Sequence, residues 1–123
     1  SARLAPGALA AQDGMGAARA FAKVHGCILV LKGHRTLTAA PAGNVLVNVT
    51  GNSGLAKGGS GDVLTGIIAS LLAQGAAPVL AAAGGVWLHG RAGDLAAEQL
   101  TEYGVTPEDV VRLLPAAIRE ILG

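Results

Sequence analysis

Gly58-Gly59-Ser60-Gly61-Asp62 is the stretch of this chain whose residue types could do chemistry. Glycine reaches positive φ and lets a ligand approach with no Cβ in the way. A glycine-rich turn that runs into a helix leaves unpaired amides at the positive end of the helix dipole, which suits an anion. Gly58, Gly59, Ser60 and Gly61 therefore read as a phosphate cradle. Val63 to Ala73, an apolar run without charge, is the helix behind it. Asp62 sets a carboxylate in the first turn. Beside a phosphate its charge repels, so it is misplaced for binding alone. It makes sense if it orients or deprotonates a hydroxyl that attacks the phosphate. The same residues read equally as a flexible glycine linker before a buried helix, with Asp62 as a helix-start residue. They are not a Walker A loop. Gly54 and Gly59 have the spacing, but Ser60 and Gly61 stand where Lys and Ser/Thr belong.

Other elements must hold that stretch in place. Cys27 to Leu31 (CILVL) is a continuous apolar run, the mark of a strand buried on both faces. Asp13 can cap a helix before it, running to about Val24, with Ala17, Ala20, Phe21 and Val24 on its apolar face and Gly26 as its stop. Ser1 to Gln12 has no clear pattern. Helix followed by buried strand argues for an α/β sheet. Lys32, Gly33, His34, Arg35 and Thr36 lie at the C-terminal end of the strand, where open α/β sheets bind ligands. A Lys, an Arg and a hydroxyl there suit a nucleotide phosphate or ribose; the bland alternative is a solvated turn. Thr36 to Ala40 and Val45 to Val49, joined by Pro41-Ala42-Gly43-Asn44, predict a β-hairpin. Lys57, inside the glycine loop, either supports a phosphate or is merely solvated.

Downstream, Pro78 opens a second helix, which Gly84-Gly85 lets pack closely, and Trp87 is expected in the core. His89, Arg91 and Asp94 lie near one another on it. A His and an Asp at i, i+5 do not share a face, so no metal or relay site is expected, nor one from the isolated His25 and His34. Thr106-Pro107-Glu108-Asp109 is a strong helix start, with Thr as N-cap, Pro at N1 and an acid at N3. That helix runs to about Leu122, with Pro115 kinking or dividing it. Its face of Val110, Leu113, Leu114, Ile118 and Ile121 reads as core or subunit interface.

Composition narrows the class. The 123 residues are 51% hydrophobic but only 2% aromatic, so Ala, Leu, Val and Ile must build the core. A net charge of +1 gives no electrostatic case for nucleic acid or an anionic membrane. The single cysteine, Cys27, rules out an internal disulfide and reads as inert core. The chain has no charge from Val63 to Gly90 apart from what His89 can carry, but Gln74, Gly75 and Pro78 cut the run. Two buried helices fit better than a membrane span. No secretory signal is visible, so a cytoplasmic location is expected.

At this point the chain resembles a family. Gly51-Asn52, Ala56-Lys57-Gly58-Gly59-Ser60-Gly61-Asp62-Val63-Leu64, Leu88-His89-Gly90-Arg91-Ala92-Gly93-Asp94 and the upstream Leu31-Lys32-Gly33 are similar to the bacterial ADP-dependent NAD(P)H-hydrate dehydratases of the ribokinase-like superfamily. The resemblance runs from about Arg3 to the C-terminus. It implies that residues 1–123 are the C-terminal part of a single domain. The implied fold is an α/β three-layer sandwich, with helices on a mostly parallel sheet and a β-hairpin. The implied activity restores NADH and NADPH from their S-form hydrates, using ADP and giving AMP and phosphate, with Mg²⁺ shielding the phosphates. By the same resemblance, Asp62 and Asn52 contact the hydrate, Gly59, Ser60 and Gly61 hold the nucleotide phosphates, and Lys32 to Thr36 hold the AMP part. Asp62 is then the catalytic residue, and no protein metal ligand is implied. Ser53 departs from the family, which more often has proline there. A homo-oligomer is expected, since a free sheet edge needs a partner. Two other readings share these residues: a ribokinase-like kinase for a sugar or vitamin alcohol, and a non-catalytic nucleotide-binding fragment.

Overall fold

The computed structural model describes the backbone of residues 2–5 and the whole of residues 14–32, 35–56 and 58–122. Strand β1 (Ala2–Ala5) is followed by helix α1 (Gly14–His25), β2 (Ile28–Leu31), β3 (Leu37–Ala39) and β4 (Val45–Val47). A 3-10 turn (Ser53–Ala56) then leads to α2 (Ser60–Ala73), α3 (Pro78–Gly104) and α4 (Pro107–Leu122). The sheet order is β1-β2-β3-β4. β1 runs parallel to β2, pairing Ala2 with Ile28. β3 and β4 form the expected antiparallel hairpin, which returns against β2. Among the described residues the sheet is therefore mixed, one parallel pairing and two antiparallel, because the hairpin supplies half of its strands.

β2 explains the layering. All four of its residues are buried, and they alternate. Ile28 and Val30 pack with Leu64 and Ile68 of α2 and Ala81, Ala82 and Val86 of α3. Leu29 and Leu31 pack on the other face with Ala18 and Ala22 of α1 and Leu37 and Ala39 of β3. A period of two thus places one core on each side of the sheet, giving three layers. A third cluster joins α3 to α4 through Leu88, Ala92, Ala96, Val105, Val110 and Ala117.

Several expectations need correction. β1 was not expected within the patternless Ser1–Gln12 stretch. The buried side of α1 is Gly14, Ala18 and Ala22, not the face of Ala17, Ala20, Phe21 and Val24. Val24 is 78% exposed, and Phe21 lies outside against His25, ring centroids 4.2 Å apart. The sheet takes the smallest residues because they allow the helix its closest approach. Asp13, the expected cap, lies outside the described residues. α2 is not buried all round. Ser60, Leu64 and Ile68 are inside, while Leu72 is 38% exposed.

The helix starts and stops were better legible. Gly26, with φ 58, closes α1. Pro78 opens α3 at its first turn. Gly85 sits so close to α2 that a Cβ there would lie 2.6 Å from Ile68 Cγ1, whereas Gly84 has room. At α4 the capping box is complete. The Thr106 amide and hydroxyl donate to Asp109, at 3.0 and 2.8 Å, and the Asp109 amide donates back to Thr106 Oγ1 at 3.3 Å. Pro115 is accommodated inside α4 without dividing it. Arg91 forks onto Glu120 at 2.7 and 3.0 Å and ties α3 to α4. Among the described residues no helix is long and apolar enough to cross a membrane.

Candidate functional site

The site forms where β2 ends and α2 begins. Gly59 takes the cap position of α2 with φ 90, a left-handed conformation that glycine enters without strain. No side chain caps the helix there. The Gly59 carbonyl accepts from Val63 at 3.2 Å, while the amides ahead of Val63 belong to the turn that an α-helix leaves unpaired within itself. Lys32 reaches this turn from the end of β2. Its Nζ lies 3.7 Å from where a Gly61 Cβ would stand. A helix N-terminus and an ammonium thus meet at one point. Both ion pairs among the described residues lie elsewhere, Arg91–Glu120 and Arg112–Asp109. The arrangement attracts an anion.

Beside that point opens a cleft of about 710 Å³. Its walls include Lys32, Thr36, Asn48, Asn52, His89 and Glu102. Of the expected ligand-holding residues, the structure brings Lys32, Thr36 and Asn52 to the cleft and Gly61 to the Lys32 ammonium. Asp62 is exposed on the first turn of α2, outside the cleft lining. Arg35 is exposed and also outside it. Ser60 is 3% exposed, and its hydroxyl is turned inward, so only its amide can serve a ligand. Gly33, His34 and Lys57 lie outside the described residues.

The far wall is the loop from Asn48 to Ala56, and α3 fixes it at several heights. Thr50 Oγ1 donates to the Trp87 carbonyl at 3.1 Å. Asp94 accepts from the Gly51 amide at 3.0 Å and from Asn52 Nδ2 at 2.9 Å. Asn52 Oδ1 in turn accepts the Gly54 amide at 2.9 Å. Asn52 therefore has one donor and one acceptor already engaged, and its carboxamide is fixed in orientation. Glu102 accepts from the Ser53 amide and hydroxyl at 3.1 and 3.2 Å. It follows Thr101, whose φ of 63 interrupts the helical path of α3. Gly93 leaves space for Leu55, which would lie 2.6 Å from a Cβ there.

His89, Asp94 and Glu102 are the residues that sequence reasoning missed. His89 is 5% exposed and shares a hydrogen bond of 3.1 Å with Ser60 Oγ. Asp94 and His89 do different jobs, one on the loop and one on α2, as two residues at i, i+5 on different faces of a helix can. The one available signal was their presence together in the string Leu88 to Asp94.

Burial pushes the His89 imidazole down from its ordinary 6.5 to about 4, the Lys32 ammonium adds to this, and a backbone hydrogen bond to Ser60 offsets part of it. His89 is thus neutral at pH 7. The folded value lies below the unfolded one, so the unfolded chain binds the extra proton between these values. Stability is held above pH 6.5 and is lost as pH falls toward 4. The expected loss is roughly 3 kcal/mol at the acid end. Urea midpoints at pH 7, 5.5 and 4.5 for wild type and His89→Gln test this. The wild-type profile should fall more steeply. Parallel profiles would mean that His89 is hydrated rather than buried.

Comparison with known proteins fits this geometry. The family model described as NAD(P)H-hydrate dehydratase matches residues 2–116. A bifunctional NAD(P)H-hydrate repair enzyme of Moorella thermoacetica is 46% identical over 110 residues, 89% of this chain and 21% of the relative. An ADP-dependent (S)-NAD(P)H-hydrate dehydratase of Neisseria meningitidis is 52% identical over 86 residues, 70% of this chain and 29% of the relative. Among solved structures, the ADP/ATP-dependent NAD(P)H-hydrate dehydratase of Bacillus subtilis, co-crystallised with ATP and Mg²⁺, superposes with a TM-score of 0.91 at 27% identity. The superposition covers 97% of this chain and 47% of that one. A ribokinase-like superfamily protein of Enterococcus faecalis gives a TM-score of 0.78 at 34% identity, over 97% and 44%. The chain spans less than a third of the two curated relatives and about half of the solved neighbours. With residues 2–116 of the chain matched by the family model and the ribokinase-like α/β fold shared, this chain belongs to the NAD(P)H-hydrate dehydratase family.

Proposed function

We propose that this chain carries the phosphoryl-transfer centre of an ADP-dependent (S)-NAD(P)H-hydrate dehydratase. In this reading residues 1–123 are the C-terminal part of its domain. The observation that carries the proposal is the Lys32 ammonium at the uncapped start of α2, with Asp62 one residue beyond Gly61.

The chemistry follows from that juxtaposition. Lys32 and the amides of Gly59 to Gly61 hold the β-phosphoryl of ADP, and Thr36 sits at the cleft wall for the AMP part. The hydroxyl of the hydrated ring attacks the β-phosphorus, and the bond to the AMP oxygen breaks. Asp62 takes the hydroxyl proton. The carbon–oxygen bond to phosphate then breaks with help from the ring-nitrogen lone pair, and a neighbouring ring carbon gives up a proton. The products are AMP, phosphate and the restored dihydronicotinamide. Positioning and charge stabilisation supply most of the rate in such a transfer. Among the described residues no group of three His, Cys, Asp or Glu gathers. Mg²⁺ therefore fits as a counter-ion of the nucleotide phosphates, a role that needs at most one or two carboxylates. A cytoplasmic location and a homo-oligomer complete the reading. For the latter, the exposed Ile118, Ile121 and Leu122 on α4 offer an apolar surface.

The test is recovery of the NADH absorbance band from hydrated NADH with ADP, with ATP and with neither. The 123-residue chain and a chain of the relatives' dehydratase length are run together. Recovery with ADP is expected from the longer chain. No recovery from either sinks the proposal, and AMP-free phosphorylation of a stable alcohol would replace it with a kinase. Light scattering of the same samples reads the oligomeric state.

A further inference from the structure

We propose that His89 is a positioning residue for the anion cradle, holding the first turn of α2 in its working direction through Ser60. The proposal rests on the dehydratase reading for its kinetic consequence, but its geometry stands independently.

The start of α2 lacks the usual means of fixing itself. Gly59 has no side chain, and no other side chain caps the helix. A Cβ at Gly59 would lie 3.3 Å from Pro107 Cγ, so a capping residue would also crowd α4. An N-cap side chain ordinarily accepts from an amide of the first turn. Here that would occupy the very amides an anion needs. The structure instead anchors the turn from beneath. Ser60 points its hydroxyl into the interior, away from the ligand side, and meets His89 Nε2 at 3.1 Å. Both residues are nearly fully buried, at 3% and 5% exposure. The bond joins elements 29 residues apart in sequence.

His89 is itself rigidly placed. It lies in the stretch of α3 where Gly85 receives Ile68 of α2 and the next residue, Gly90, receives Thr50 of the loop. α3 thus fixes the spacing between α2 and the loop wall, and His89 converts that spacing into a direction for the Gly59–Gly61 amides and Asp62. Because it also faces the cleft beside Lys32, it is the shared neighbour of the cradle and the cleft. Glutamine can present a hydrogen-bonding nitrogen at a similar reach; leucine fills the space without one.

The experiment compares wild type, His89→Gln, His89→Leu, Ser60→Ala and the Ser60→Ala/His89→Leu double variant, in the chain length used for turnover. Three readouts are taken: hydrate turnover, ADP affinity by calorimetry, and hydrogen exchange of the Val63 amide, which closes the first turn onto Gly59. His89→Leu and Ser60→Ala should each lower kcat by about 10- to 10²-fold, since a small misplacement at the reacting centre is costly. The double variant should lose no more than the larger single loss, because the Ser60 hydroxyl acts only through His89. His89→Gln should recover most of kcat, and Val63 exchange should quicken in the leucine and alanine variants only. Additive losses, or glutamine no better than leucine, would overturn the proposal and leave His89 as a packing residue. If wild type neither binds ADP nor turns over hydrate, the dehydratase reading fails. The exchange data still decide: equal Val63 protection in all five proteins overturns the positioning role.

Discussion

Replacing Asp62 by asparagine is expected to lower hydrate turnover by roughly 10²-fold or more while ADP affinity changes little. The substitution keeps size and one oxygen acceptor but removes the ability to take a proton. Asp62 is exposed on the first turn of α2, where nothing in the core depends on it. Folding should therefore be unaffected, and a loss of rate can be read as chemistry. Asp62 also belongs to the same helical turn as the Gly59 to Gly61 amides, so removing its negative charge should slightly favour nucleotide binding. Lower kcat at equal or tighter ADP affinity is the signature of a base acting on the attacking hydroxyl. Two results would tell against it. Unchanged turnover would make Asp62 a helix-start residue and no more. A parallel fall in kcat and in ADP affinity would mean that it orders the loop. Steady-state kinetics with hydrated NADH, together with calorimetry with ADP, distinguish the three.

What the residue pattern discloses in this protein is local. CILVL reads as a buried strand because five consecutive apolar residues can only be hidden on both faces. Thr106 to Asp109 reads as a helix start because its hydrogen bonds close within four residues. The cradle reads from glycines next to one another. The buried side of α1 was misread for a physical reason: hydrophobicity favours Phe21 and Val24, but close approach to the sheet favours Ala18, Ala22 and Gly14. β1 was missed because four residues containing an arginine carry no period. The supports of the site were beyond reach for another reason. Ser60 and His89 are 29 residues apart, and Gly51 and Asp94 are 43 apart. The first pair is brought together by how α2 packs on α3 and the second by how the loop packs on α3, which no window of local sequence contains. Of the residues that the family resemblance singles out, Lys32, Thr36 and Asn52 line the cleft and Asp62 and Arg35 do not, and the resemblance gave no role to Asp94 or Glu102, which hold the loop wall.

The second large effect is expected at Gly90, and a control makes it specific. An alanine Cβ at Gly90 would lie 2.8 Å from the backbone carbon of Thr50 and 2.9 Å from its Cβ. Such contacts cannot be relieved by a side-chain rotation; the loop backbone must move. Thr50 is held there by its bond to the Trp87 carbonyl and by Asn48, whose Nδ2 donates to Thr50 Oγ1 at 3.0 Å and to the Thr50 carbonyl at 3.1 Å. Displacing it disturbs the wall on which Gly51 and Asn52 meet Asp94. Overpacking of this kind costs about 1–3 kcal/mol or more. Against it stands the helix preference for alanine over glycine, worth about 1 kcal/mol. Gly66 tests that second term alone. It lies inside α2 with nothing within 4 Å of an added Cβ. Gly66→Ala should therefore stabilise by up to about 1 kcal/mol, whereas Gly90→Ala should destabilise and lose most of its turnover. The same exchange thus has opposite signs on two neighbouring helices, read by urea denaturation of both variants. A stabilising Gly90→Ala would mean that the loop and α3 are not in contact, and that Asp94 does not hold the cleft wall.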